Sequence, residues 1–213
     1  PELWLRTIPD AFKKTASQFP DREAAVFPEQ DVRWSWAELD REVDALALGL
    51  LKLGLAKGDR VGIWAPNRYE WLLTQFATAR IGLILVTINP AYRVTEVEYV
   101  LNKVGCAALV TAAHFKSSDY VGMLQELAPE LAECAPGALS AAKLPTLKTI
   151  IRAGSDATPG MFNFDAVVDT GRDSETATLD AISATLEPDE AINIQFTSGT
   201  TGAPKGATLS HIN

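Results

Sequence analysis

Between residues 36 and 111 the chain alternates between amphipathic helical segments and short apolar runs. Ser35-Trp36-Ala37-Glu38 has the spacing of a capping box. Leu39, Val43, Leu46, Leu50 and Leu53 then recur at four- and three-residue steps, one stripe along a helix, and Gly54 stands just past its last turn. Arg60 to Ala65 reads as a strand. Asn67 with Glu70 reads as the cap of a second helix, which carries Trp71, Leu72, Phe76 and Ala79 and stops at Gly82. Leu83 to Ile88 is apolar without a break, as a strand covered on both faces must be, and Asn89-Pro90 ends it. Thr95-Glu96-Val97-Glu98 is a further capping box; Val97, Val100, Leu101 and Val104 form the stripe behind it, and Gly105 closes the helix before a third strand, Ala107 to Thr111. This order predicts an α/β fold: a mostly parallel sheet with helices on both faces. The spacing is too irregular for a solenoid repeat.

The flanks are read the same way. Leu3 to Ala16 is expected to be helical, and Ala24–Phe27 and Val32–Trp34 to form a hairpin around Pro28-Glu29-Gln30-Asp31. Trp34 and Trp36 are assigned to packing. Ser118 to Leu127 reads as a helix disturbed at Pro129, residues 132–146 as a loop, Leu147 to Arg152 as a strand, Phe162 to Val168 as a short helix and Arg172 to Thr178 as a mobile polar segment. The strand Ala191 to Phe196 presents a glycine-rich stretch at its carboxyl end, the end at which open α/β sheets bind ligands.

That stretch runs Thr197-Ser198-Gly199-Thr200-Thr201-Gly202-Ala203-Pro204-Lys205-Gly206. Glycines let backbone N–H groups approach an anion, hydroxyls add short donors, and lysine adds a mobile charge. It is not a Walker A loop, in which Lys is followed by Ser or Thr and a helix. Here Gly206 follows Lys205 and Ala207-Thr208-Leu209 reads as a strand, so the expected cradle is a nest of amides on a strand–loop–strand hairpin. Composition alone leaves a surface turn equally open, because such clusters commonly are loops.

The formal charge of −8 argues against a nucleic-acid partner or an anionic membrane surface. No apolar run reaches the ~18–20 residues of a membrane span, and no signal peptide is visible. Cys106 and Cys134 lack metal-site spacing and suit a reducing compartment; Cys106 is read as a small buried residue on a strand. Of the two histidines, His211 is expected to act at the surface or as a cap, and His114 is unassigned. Glu96/Glu98 and Asp165/Asp169 are carboxylate pairs, the first explained by capping and the second without a partner base. Ser210 has the place of an N-cap, so a helix and further chain are expected to follow it.

The ten residues from Thr197 to Gly206, with Ala203 at the variable position, resemble the phosphate-binding signature of the acyl-adenylate-forming superfamily: acyl-CoA synthetases, luciferases and peptide-synthetase adenylation domains. Arg60–Asn67, Gly82–Arg93 and Glu98–Asn102 resemble further segments of that family, nearest to medium-chain acyl-CoA ligases. The resemblance implies two steps: a carboxylate attacks the α-phosphorus of MgATP and expels pyrophosphate, then coenzyme A takes the acyl group and AMP leaves. It implies phosphate contacts from Thr197, Ser198, Gly199, Thr200, Thr201, Gly202, Ala203, Pro204 and Lys205, with Mg²⁺ bridging phosphate oxygens. The family's adenine and ribose motifs, acidic metal ligand, most of the acyl pocket, hinge and mobile C-terminal domain lie downstream of this signature. Residues 1–213 are therefore expected to be the N-terminal portion of the large domain, inactive alone, with apolar surface that favours a homodimer. A bacterial cytoplasm or a mitochondrial matrix fits. A different carboxylate, a carrier-protein acceptor, or a non-catalytic nucleotide-binding module are the alternatives.

Overall fold

The computed structural model describes residues 6–197 and 204–213. The first residues of the expected opening helix, Leu3 to Leu5, and the loop residues Ser198, Gly199, Thr200, Thr201, Gly202 and Ala203 lie outside the described residues.

Helix α1 (Ile8–Gln18) begins at Thr7, whose side chain accepts from the Asp10 N–H while the Asp10 carboxylate accepts from the Thr7 N–H. Strands β1 (Glu23–Phe27) and β2 (Val32–Ser35) form the expected hairpin, with Asp31 left-handed at φ 52° in the turn. Helix α2 (Trp36–Lys52) starts on the capping box at Ser35 and Glu38. Strand β3 (Arg60–Trp64), α3 (Tyr69–Arg80), β4 (Ile84–Thr87), α4 (Val94–Val104) and β5 (Cys106–Thr111) then follow in the anticipated alternation. Beyond them come a small hairpin, β6 (His114–Phe115) and β7 (Ser118–Asp119), then α5 (Tyr120–Leu127), β8 (Thr149–Arg152), β9 (Phe162–Asn163), α6 (Phe164–Arg172), α7 (Ala177–Ser183), β10 (Ala191–Thr197) and β11 (Lys205–Ser210).

Seven strands form one sheet in the order β11-β10-β4-β3-β5-β8-β9, every pair parallel except β10–β11. From β3 the chain steps one way to β4, then recrosses β3 to reach β5. Right-handed crossovers in opposite directions lie on opposite faces, so α3 and α4 cover different sides of the sheet. Two residues of β3 mark the α4–α5 side. A Cβ at Gly62 would meet Leu101 of α4 at 3.4 Å, and Trp64 stacks on Tyr120 of α5 at 3.9 Å. On the other side α2 contacts α1, α3, α6 and α7. Its seam with α6 is closed by two glycines: a Cβ on Gly171 would lie 1.9 Å from the Ala45 carbonyl oxygen, and one on Gly49 2.2 Å from that of Val167. The helices thus touch backbone to backbone. Nearby, Arg80 is almost fully buried and bonds Asp44 at 3.1 Å and Asp180 at 2.6 Å, tying α3 to α2 and α7.

Several local expectations are corrected. Asn67 does not cap α3. Arg68 is the N-cap residue, and Glu70 is buried and accepts two bonds from Arg68 and one from Gln30. Nor does Thr95 cap α4: the N-cap is Arg93, two residues earlier, and the Glu96 carboxylate accepts from the Arg93 N–H at 3.0 Å. The segment 172–178 is not a free polar stretch. Arg172 ends α6 in a bidentate pair with Glu42 at 2.5 and 2.9 Å, and Ala177 opens α7. Phe162 and Asn163 pair with β8 before α6 begins, and the helix expected from Ser118 starts at Tyr120, capped by Asp119. Past Ser210 the chain turns, and the Asn213 side-chain oxygen accepts from the Ser210 N–H and hydroxyl.

Candidate active site

The hairpin that presents the glycine-rich stretch is built as the sequence suggests. Ile192 and Ile194 bury β10 against the core, and β10 pairs with β4 from Asn193↔Leu85 to Gln195↔Thr87. On its other side β10 pairs with β11, and the last rung is Thr197↔Lys205. The two ends of the signature loop are therefore fixed opposite one another at the carboxyl edge of the sheet. The Thr197 hydroxyl donates to the Lys205 carbonyl at 3.4 Å. Lys205 is exposed, and among the described residues no carboxylate pairs with it, so its ammonium is available to an anion. Pro204, also within the described residues, has its carbonyl 3.4 Å from the Tyr99 hydroxyl of α4, which donates to it. On the same arm a Cβ at Gly206 would press on Ile194 Cγ2 at 3.0 Å and touch Phe196 Cζ at 3.4 Å, so a larger residue there would make these side chains give by a few tenths of an ångström.

Beside the hairpin, at the ends of β3, β4 and β10, lies an open cleft of about 280 Å³. Its walls include Asn67, Trp71, Asn89 and Gln195. This is the switch point of the sheet: α3 and α4 leave neighbouring positions toward opposite faces, and the diverging connections leave a crevice. The loop beyond β4 is held firmly. Asn89 accepts from the Ala91 N–H at 2.9 Å, and the Tyr120 hydroxyl donates to the Pro90 carbonyl at 2.6 Å. Burial pushes the Tyr120 phenol up to about 12, so it stays protonated as that donor. Sequence reasoning passed over Asn67, Trp71, Asn89 and Gln195. The available signal was position, since each lies at or just past the carboxyl end of a strand in the switch region.

The remaining candidates resolve into structure. Asp165 accepts from the Tyr69 hydroxyl at 3.0 Å and Asp169 pairs with Arg172 at 2.8 Å, so these carboxylates are not a proton-transfer couple. The recess lined by Arg41, Glu42, Asp44 and Arg172 is the ion-paired seam of α2 and α6. Cys106 is fully buried on β5 as expected, and burial raises its thiol to about 12. His211 takes the capping role: its Nδ1 accepts the Ile8 N–H at the start of α1. No helix among the described residues is long and apolar enough to cross a membrane.

Residues 12–213 match the family described as AMP-binding enzyme. The chain belongs to that family. It is 48% identical over 211 residues to the mitochondrial medium-chain acyl-CoA ligase ACSF2 of Homo sapiens, covering 98% of this chain and 34% of that protein. It is 40% identical over 212 residues to YngI of Bacillus subtilis (strain 168), covering 100% of this chain and 39% of YngI. The chain thus spans little more than a third of these relatives. Among solved structures, the anthranilate CoA ligase AuaEII in complex with anthranoyl-AMP superposes with a TM-score of 0.80 at 20% identity, over 98% of this chain and 35% of that one. The fold is that of the N-terminal region of adenylate-forming enzymes.

Proposed function

We propose that this chain is the N-terminal portion of the large domain of an AMP-forming acid–thiol ligase, and that it supplies the arm that holds the phosphates of ATP. The substrate is a fatty, medium-chain carboxylic acid, converted to acyl-AMP and then acyl-CoA with release of pyrophosphate and AMP. One observation carries the reading: Thr197 and Lys205 face each other on the last rung of the β10–β11 hairpin, beside a crevice at the carboxyl edge of the sheet. Family membership and the name of the human relative support the reaction class.

The residues suit the chemistry. Adenylation builds negative charge on the departing pyrophosphate, and donors fixed in advance help most where that charge grows. Thr197 brings a hydroxyl held by the hairpin, and Lys205 an exposed ammonium with no carboxylate partner among the described residues. Tyr99 and Gly206 seat the descending arm on α4 and β10. Mg²⁺, when bound, neutralises phosphate oxygens; the phosphates themselves are its ligands in this reading. Relatives named as mitochondrial and relatives from a bacterium fit a matrix or a bacterial cytoplasm equally.

The test is ATP–pyrophosphate exchange by the full-length protein with fatty acids from acetate to palmitate. Lys205→Ala is expected to lose about 3–4 kcal/mol of transition-state stabilisation, a drop of a few hundredfold or more, with its circular dichroism unchanged. Near-normal exchange in that variant overturns the assignment. Residues 1–213 alone are expected to give no exchange.

A further inference from the structure

We infer that His211 is a pH-sensitive clamp that fastens helix α1 to the base of the β10–β11 hairpin. A helix N-terminus leaves its first amides without partners. In α1 all but one of these are met locally. The Thr7 N–H goes to the Asp10 carboxylate, the Asp10 N–H to the Thr7 hydroxyl and the Ala11 N–H to the Thr7 carbonyl, while Pro9 has no N–H. Only Ile8 looks elsewhere, and it donates to His211 Nδ1 at 3.0 Å across 203 residues of sequence. His211 directly follows Ser210, which pairs with Ala191 at the start of β10. One hydrogen bond therefore joins the first helix to the strand pair that carries the signature loop.

The bond exists only while the ring is neutral. An imidazole accepting at Nδ1 carries its proton on Nε2, and here Nε2 is buried with no partner among the described residues. Protonation removes the acceptor and places a cation at the positive end of a helix dipole. The groups facing the ring are Asp10 of α1, Glu190 just before β10 and Lys57 past the end of α2. Desolvation outweighs the two carboxylates and lowers the His211 pKa, while Lys57 acts in the same direction as burial and is itself paired with Glu190 at 2.6 Å. Because the folded value lies below the ordinary histidine value of about 6.5, the unfolded state binds the proton more readily. The clamp is complete above about pH 6.5 and is lost as pH falls through the folded value.

Hydrogen exchange of the full-length protein, followed by mass spectrometry, tests this with the peptide spanning residues 6–18 and a peptide from α4 as internal control. Rates are divided by the intrinsic rate at each pH. In the wild type the α1 peptide is expected to exchange about tenfold faster relative to α4 at pH 5 than at pH 7.5. His211→Ala is expected to be fast at both, and His211→Gln, a neutral acceptor, to show no pH step. An α1 peptide that exchanges equally at both pH values in the wild type, or a pH step that survives in either variant, overturns the clamp.

Discussion

Replacing Gly171 by alanine sets two effects of opposite sign against each other. Inside a helix, Gly→Ala is stabilising by roughly 0.5–1 kcal/mol, because alanine has less backbone freedom to lose. Here the new Cβ would stand 1.9 Å from the Ala45 carbonyl oxygen, 2.8 Å from the Ala45 carbonyl carbon and 3.0 Å from the Gly49 nitrogen. All three are backbone atoms of α2, so no rotamer change relieves the clash. The helices must part by more than 1 Å, the distance from 1.9 Å to an ordinary contact near 3.4 Å. Parting them loosens the seam between α6, with Phe164, Val167 and Val168 buried, and α2, with Leu46 and Leu50 buried. Overpacking of this kind costs about 1–3 kcal/mol, and more where neither side yields. After the propensity gain, the expected net loss is about 2 kcal/mol, or a Tm lower by roughly 4–8 °C for a domain of this size. Gly49→Ala, 2.2 Å from the Val167 oxygen, should behave alike. Because both changes relieve themselves by the same separation, the double variant should lose less than the sum. Thermal unfolding followed by circular dichroism reads all three. An unchanged or raised Tm in either single variant would refute backbone contact between α2 and α6.

Other consequences are as direct. Arg80→Met leaves Asp44, largely buried, with Lys13 at 2.6 Å as its one ion-pair partner among the described residues, and should cost about 3 kcal/mol in urea unfolding; adding Asp44→Asn should recover part of it. Ser35→Ala removes the α2 cap and should cost about 1 kcal/mol. The Ser35 N–H and hydroxyl hold the Glu38 carboxyl below its ordinary value, so that cap weakens as acid protonates Glu38, and the gap between wild type and Ser35→Ala should narrow below about pH 4. With its thiol raised to about 12 inside the sheet, Cys106 should resist a thiol reagent at pH 8 while Cys134, partly accessible, reacts; both should react in denaturant. Early reaction of two thiols in the folded protein would contradict the burial of Cys106.

What the sequence disclosed follows from the range of each signal. The α2 stripe, the β3–α3–β4–α4–β5 alternation and the hairpin after β10 are local patterns, and each stands where the pattern placed it. Gly105 closes α4 at φ 63° because the left-handed turn there is a local demand on one residue. Errors arose where tertiary partners decide. Glu70 has the spacing of a capping residue for Asn67, yet it is drawn into the interior by Arg68 and Gln30, a partner 40 positions away. Arg172 looked solvated until Glu42 of α2 came beside it. The cleft at the switch point escaped notice because Asn67, Asn89 and Gln195 are adjacent only after the sheet has ordered its strands. The signature itself was legible as a string, and its two ends as a rung, because a hairpin's register is also local.

The strand order has a consequence for synthesis on the ribosome. Strand β4 is complete early, but its outer neighbour β10 emerges roughly a hundred residues later, an interval of some 5–20 s at ordinary elongation rates. Throughout it, the nascent chain holds Ile84-Leu85-Val86-Thr87 with one flank of amides and carbonyls open. A chaperone that covers apolar strands during translation would find its target there, and slowing elongation between β4 and β10 should raise the yield of aggregate more than slowing it after β11.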